Sequence, residues 1–213
     1  MNTITVIDYG INNIQSVIQA FQYLDVKTKI ATKPSDLINS SHVVIPGVGA
    51  FPEGMKKLNH QGLSEIIIEK AKNGTNLLGI CLGMQMLFSK SLEYEKCDGL
   101  NIIPGEVIQL QKKEEGDYYR VPVIGWRKIN LLQDSKKNKV VEFLDKKNFY
   151  FLHSYHVVPK RKADILAYYE RGEDKTVAAV INNNIWGVQF HPEKSGYEGL
   201  KFLKAFSNLK VNQ

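Results

Sequence analysis

Residues 4 to 80 alternate short, almost unbroken apolar runs with longer segments of helical period, and that alternation narrows the available folds more than any other feature of the chain. "TITVID", "KTKIA", "HVVIP" and "NLLGI" read as strands. After the first, "NNIQSVIQAFQYL" sets Ile14, Val17, Ile18, Phe21 and Leu24 at helical spacing. Before the last, "LSEIIIEKAKNG" reads as a helix that stops at Asn73-Gly74. Strands that alternate with helices predict a parallel sheet covered on both faces. From residue 100 the pattern changes to short strands: "NIIPGEVIQL", "FYFLHSYHVV", "ILAYYE", "TVAAVI" and "IWGVQF". A helix, "GYEGLKFLKAFSNL", closes the series. No internal repeat, low-complexity tract or linker divides the chain, so the expectation is one α/β domain over residues 1–213.

Bulk composition excludes several classes. Apolar residues at 43% and charged residues at 23% are ordinary for a soluble globular protein, and 213 residues can bury a real core. No run approaches the roughly 18 apolar residues of a membrane span, and "MNTITVIDYG" lacks the regions of a signal peptide. Two cysteines build no disulfide framework and suit a reducing compartment, which points to the cytoplasm. The net charge of +6 gathers in basic clusters at 136–139, 146–147 and 160–162. Acidic residues are interspersed and no RNA-binding or metal-finger spacing accompanies them, so they read as solvated faces rather than a nucleic-acid surface. "DYGINN" lacks the glycines of a dinucleotide fingerprint, and the histidines lack zinc-like pairing. Neither a cofactor nor a metal is expected.

"LLGICLGMQ" is where chemistry enters. Read as strand, turn and helix, it puts Cys81 between Gly79 and Gly83 at a corner with the mechanics of a nucleophile elbow. A helix N-terminus there favours thiolate over thiol, and the N–H of Leu82 is placed to meet a developing oxyanion. From the elbow alone, a packed core cysteine remains the competing explanation. Cys97, in the polar "YEKCDG", has no comparable setting. A thiol nucleophile needs a base. His42 and His60 have ordinary structural explanations, which leaves His153, His156 and His191. His191 follows an apolar strand, where an α/β site collects its residues. Glu193 stands just beyond Pro192, and an extended backbone would point both side chains the same way. A carboxylate on one imidazole nitrogen frees the other to take the thiol proton.

"LLGICLGMQ" together with "GVQFHPEKSG" closely resembles the class I, triad-type glutamine amidotransferases. "VIDYG", "PGVGAFPEGM", "GWRKI" and "YFLHSYHV" narrow the resemblance to the glutaminase subunits of imidazole glycerol phosphate synthase, over about residues 4 to 206. The resemblance implies a flavodoxin-like three-layer sandwich with a mostly parallel central sheet. It implies that Cys81 attacks the side-chain amide of glutamine to form a thioester, that His191 moves the protons and that Glu193 fixes the imidazole. The oxyanion donors would be the N–H of Leu82 and a backbone N–H in "PGVG", assigned to Val48. Gly49, Gln85, His153, Ser154 and Tyr155 would hold the α-amino and carboxylate groups of glutamine, although "HSY" also reads as a plain strand corner. Gly47 would absorb a peptide flip that presents the oxyanion N–H, with partner binding pulling the segment into its active form. The implied partner is a (β/α)₈-barrel cyclase in a heterodimer that uses the ammonia in histidine biosynthesis, with Asn13, Trp126 and Lys194 at the interface.

Three segments depart from the family's pattern. Asn12 stands where glycine is usual, Asn76 where proline is usual, and "PVIGWR" carries Val123 and Arg127 in place of histidine and asparagine. These departures suggest, as an alternative, a related glutaminase subunit that feeds a nucleotide-sugar amidotransferase for surface polysaccharide. A stand-alone cysteine hydrolase, active without a partner, would share the elbow and the histidine. A non-catalytic binding subunit would not be expected to keep Cys81, His191 and Glu193 together.

Overall fold

The computed structural model describes residues 2–10, 13–112, 119–132 and 140–210; Asn12 and the basic cluster at 136–139 lie outside the described residues. In chain order the first elements are β1 (Ile4–Ile7), α1 (Ile14–Tyr23), β2 (Thr28–Ala31), β3 (His42–Ile45), α2 (Phe51–His60), α3 (Leu63–Lys72), β4 (Asn76–Ile80) and α4 (Leu82–Met86). Then follow β5 (Phe88–Ser91), β6 (Cys97–Asp98), β7 (Ile103–Gln109), β8 (Val123–Leu131), β9 (Asn148–His153) and β10 (Tyr155–Pro159). The series closes with β11 (Ile165–Arg171), β12 (Asp174–Asn182), β13 (Ile185–Val188) and α5 (Gly196–Ser207).

A nine-stranded sheet runs β2-β1-β3-β4-β13-β12-β11-β8-β9. From β2 to β13 its pairings are parallel, and from β13 to β9 they are antiparallel. The parallel strands are apolar because helices cover both faces. Side chains alternate along them: Val44, Leu78 and Ile80 face one layer, while Val43, Ile45 and Leu77 face the other. The first layer is built on α1 and α5 through Val17, Phe21, Phe202 and Phe206. The second is built on α2, α3 and α4 through Leu58, Ile67 and Met84. The result is the three-layer α/β sandwich expected from the sequence, carrying an antiparallel extension.

Two features differ from the sequence expectation. The helix after Cys81 ends at Met86, and "FSKS" turns into β5, the parallel partner of β7 in a second, four-stranded sheet ordered β10-β7-β5-β6. Met86 and Phe88 are both fully buried against that second layer, so tertiary burial overrides a helical continuation. "FYFLHSYHVV" is also not one strand. It breaks at Ser154, leaving β9 in the large sheet and β10 in the small one. That break matters for function, because it carries residues 153–155 across the space above Cys81.

Candidate active site

Four segments meet at the carboxyl ends of the parallel strands: Asp8-Tyr9-Gly10 after β1, the "PGVG" run after β3, Cys81 after β4 and His191 after β13. Open α/β sheets gather ligands at that edge. Cys81 sits there with φ 53° and ψ −109°, a conformation that non-glycine residues avoid and that stores roughly 1–3 kcal/mol. Its N–H donates to the Val188 carbonyl at 2.7 Å, and its own carbonyl accepts from the Gln85 N–H at 3.1 Å. The flanking glycines are demanded by contact. A Cβ on Gly79 would lie 2.6 Å from the Gly83 carbonyl oxygen and the Met84 nitrogen, and one on Gly83 would collide with the Ile45 carbonyl. A bare core cysteine would need none of this.

His191 is buried, its backbone N–H donating to the Tyr150 carbonyl at 2.8 Å. Its Nδ1–H donates to Glu193 Oε1 at 2.8 Å, with both side chains sealed from solvent. The backbone here is a tight 3₁₀ turn over Pro192–Lys194 rather than the extended chain anticipated, and the turn folds the carboxylate back onto the ring. Burial acts against the cationic form of His191, yet the Cys81 sulfur and the Glu193 carboxylate outweigh it and raise the pKa from 6.5 to about 10. With Nδ1 held by Glu193, His191 Nε2 is left to the Cys81 sulfur, which also lies 3.8 Å from the Leu152 carbonyl.

A cavity of about 300 Å³ opens over the sulfur, lined among others by Val48, Gly49, Leu82, Gln85 and residues 153–155. Every residue expected at the oxyanion or around glutamine therefore meets there, but not all in the anticipated manner. Both ring nitrogens of His153 are engaged by protein, Nδ1 with the Tyr155 carbonyl at 2.8 Å and Nε2 with the Tyr169 hydroxyl at 3.0 Å, so the ring braces the turn. Gln85 Nε2 donates to the Tyr155 carbonyl at 2.9 Å and to Gln189 Oε1 at 3.1 Å, so it also shapes the wall. Positive φ falls on Gly49, at 107°, while Gly47 is required sterically: a Cβ there would lie 2.6 Å from the Tyr9 hydroxyl. That hydroxyl donates to the Pro46 carbonyl at 2.7 Å and tethers the segment.

Sequence reasoning missed two residues. Glu93 lines the cavity, buried, with Oε2 accepting the Phe51 N–H at 2.7 Å; burial raises its pKa. Gln189 is fully buried and its Nε2 donates to Cys81 Sγ at 3.6 Å. No local signal in "SLEYEKC" marks Glu93, whereas Gln189 lies inside the quoted "GVQFHPEKSG" and could have been found there.

The positions expected at a partner interface divide. Trp126 is 53% exposed and Lys194 is exposed, whereas Asn13 is buried and donates from Nδ2 to Glu193 Oε1 at 3.3 Å. Ile124 and Leu152 pair across β8 and β9 beside the Trp126–Tyr150 pair and are also exposed, extending an apolar row to the cavity rim. Val123 points inward at 2% exposure, which accounts for an apolar residue there, and Arg127 Nη1 donates to the Trp126 carbonyl at 3.0 Å. Among the described residues no cluster of three or more His, Cys, Asp or Glu is placed to hold a metal, and no helix is long and apolar enough to cross a membrane.

A three-layer sandwich with a cysteine on a strained corner and a His–Glu pair beside it defines a class: residues 5–208 match the class-I glutamine amidotransferase family, and the chain belongs to that family. Within it, the chain is similar to imidazole glycerol phosphate synthase subunit HisH of Lactococcus lactis subsp. lactis, with 42% identity covering 97% of this chain and 98% of the relative. The protein of the same name from Wolinella succinogenes is 38% identical, covering 96% of this chain and 98% of the relative. A crystal structure of a glutamine amidotransferase superposes with a TM-score of 0.69 over 95% of this chain and 96% of that one, at 16% identity, a likeness of fold.

Proposed function

We propose that this chain is the glutaminase subunit of an imidazole glycerol phosphate synthase, a cytoplasmic protein that hydrolyses L-glutamine and passes ammonia to a cyclase subunit for histidine biosynthesis. The carrying observation is Cys81 at its strained corner, open to the cavity on one side and interacting with the sealed His191–Glu193 pair on the other. Relatives named as HisH at 38–42% identity over nearly the full length support the assignment of the partner enzyme.

In the first step Cys81 Sγ, its proton already passed to His191 Nε2, attacks the amide carbon. Charge on the amide oxygen is met by the N–H of Leu82, one of the first helical donors without an intrahelical acceptor, and by the N–H of Val48. His191 then protonates the departing nitrogen, ammonia leaves, and water attacks the thioester to release glutamate. Glu193 holds Nδ1 throughout and Asn13 steadies Glu193. Glu93 is the carboxylate available to the substrate's α-ammonium, and Gly49, Ser154 and Tyr155 flank its α-carboxylate. Free ammonia is protonated in water and useless as a nucleophile, so its release calls for a closed path into an acceptor. The exposed row of Ile124, Trp126 and Leu152, with Lys194, is the surface offered to that acceptor.

Arg127, where the family's pattern has asparagine, favours a second reading, a partner that aminates nucleotide-linked sugars. Glutamate release by the purified chain, measured with and without each candidate synthase, separates the two. Wild-type turnover stimulated by the cyclase, and reduced at least ~1,000-fold in Cys81→Ala, is the expected result. Stimulation by a sugar amidotransferase alone would transfer the assignment, and turnover unaffected by Cys81→Ala would end it.

A further inference from the structure

The proposed mechanism leaves one buried polar side chain at the nucleophile without a task. Gln189 is fully buried, its Nε2 donates to Cys81 Sγ at 3.6 Å, and its Oε1 accepts from Gln85 Nε2 at 3.1 Å. Gln85 Nε2 also donates to the Tyr155 carbonyl at 2.9 Å, which engages both its N–H bonds. The orientation of the second amide follows. Gln189 has to turn its oxygen toward Gln85, so its N–H bonds face the sulfur. Reversed, it would set NH₂ against NH₂ and a carbonyl oxygen against sulfur lone pairs.

We infer that Gln189 is a further catalytic residue, whose amide N–H holds the Cys81 sulfur in place and stabilises negative charge on it, oriented for that task through Gln85 by the 153–155 turn. The inference rests on the glutaminase reading for its catalytic meaning, but its geometry does not. While the sulfur keeps its proton, the Leu152 carbonyl accepts it at 3.8 Å. Once that proton has gone to His191, the same carbonyl dipole opposes the charge left behind, and Gln189 is the side-chain donor that offsets it. Hydrogen bonds donated to a charged group favour the charged form, and burial strengthens them. The ionisable groups around the sulfur and its cavity include His191, with Glu193 behind it, Tyr9, Glu93 and His153. An amide serving only as filler would be disfavoured, since methionine or leucine fills a buried site without desolvating a polar group.

Iodoacetamide alkylation of Cys81, read by mass spectrometry of its own peptide so that Cys97 does not contribute, tests the inference at pH 7 and pH 10. In Gln189→Met, which keeps the volume and removes the donor, alkylation at pH 7 is expected to fall about tenfold. The difference should close at pH 10, and glutamine turnover should lose kcat with KM held within about twofold. Equal alkylation at pH 7 in the folded variant overturns the inference, as does an equal loss at both pH values, which would mark a change of access. Where Gln189→Met fails to fold by circular dichroism, Gln189→Asn, whose shorter arm reaches neither partner, is read by the same criteria. Alkylation needs no glutamine, so a wild-type chain that does not hydrolyse glutamine would sink the glutaminase proposal and leave this comparison standing.

Discussion

His153 lines the cavity over Cys81, yet its ring is held there by the protein itself. "HSY" suggested a ring reaching for substrate, but burial holds that ring neutral, pushes its pKa down to about 3 and ties both nitrogens to the protein. An unfolded histidine titrates near 6.5, so between the two values only the unfolded chain takes the proton. The contribution is complete above pH 6.5 and is lost as the pH falls toward 3. By pH 5 the loss amounts to about 2 kcal/mol, and burial of His42 and His156 acts in the same direction. Urea unfolding at pH 7 and pH 5 should show this loss in the wild type and a shallower one in His153→Gln; identical slopes would place the proton uptake elsewhere. Glu93 is the other test at this scale. Replacing it by glutamine removes a charge-assisted partner of the substrate ammonium, so KM for glutamine should rise about 10- to 100-fold while kcat changes far less. A fall in kcat alone would move Glu93 away from the ammonium.

At the level of elements, the corner between β4 and α4 is a packing solution before it is a chemical one. Gly83 lets α4 approach β3 so closely that any side chain would enter the Ile45 carbonyl, and Gly79 admits the same helix over β4. Gly83→Ala should therefore destabilise the fold by about 1–3 kcal/mol and displace Cys81, seen as a lower melting temperature together with lost glutaminase activity. Normal activity in that variant would show that the corner tolerates a wider approach. Asn76, unusual before "LLGIC", gains a reason at this scale too. Its Nδ2 donates to the Lys210 carbonyl at 3.1 Å, beside a contact of His42 Nε2 with the Leu209 carbonyl at 3.1 Å, so β3 and β4 begin by clamping the chain beyond α5. Proline has no amide to make that bond. The second sheet was invisible in advance because β5 and β6 are short, and their strand character comes from pairing with β7 rather than from their own pattern.

Across the whole molecule, the site faces an apolar row on the outward side of the β8–β9 pair. Large exposed aromatics beside a reactive centre mark interaction surfaces, and buried aromatic anchors carry much of the binding energy. Trp126→Ala should weaken association with the synthase partner by about 2 kcal/mol or more, read by titration calorimetry, and leave the melting temperature of the isolated chain within a few degrees. Undiminished binding would move the interface off this face. The sequence by itself determined the layered α/β design and the elbow, because alternating burial and glycine-flanked corners are written in residues a few positions apart. It also supplied the His-Pro-Glu run that a tight turn closes into a pair. Tertiary structure alone decided that Asn13 supports Glu193, that Glu93 faces the cavity, that Gln85 and Gln189 form a chain to the sulfur, and that "HSY" spans two sheets. Those relations join residues far apart in the chain, and only the register of packed strands and helices brings their polar atoms within a bond's length.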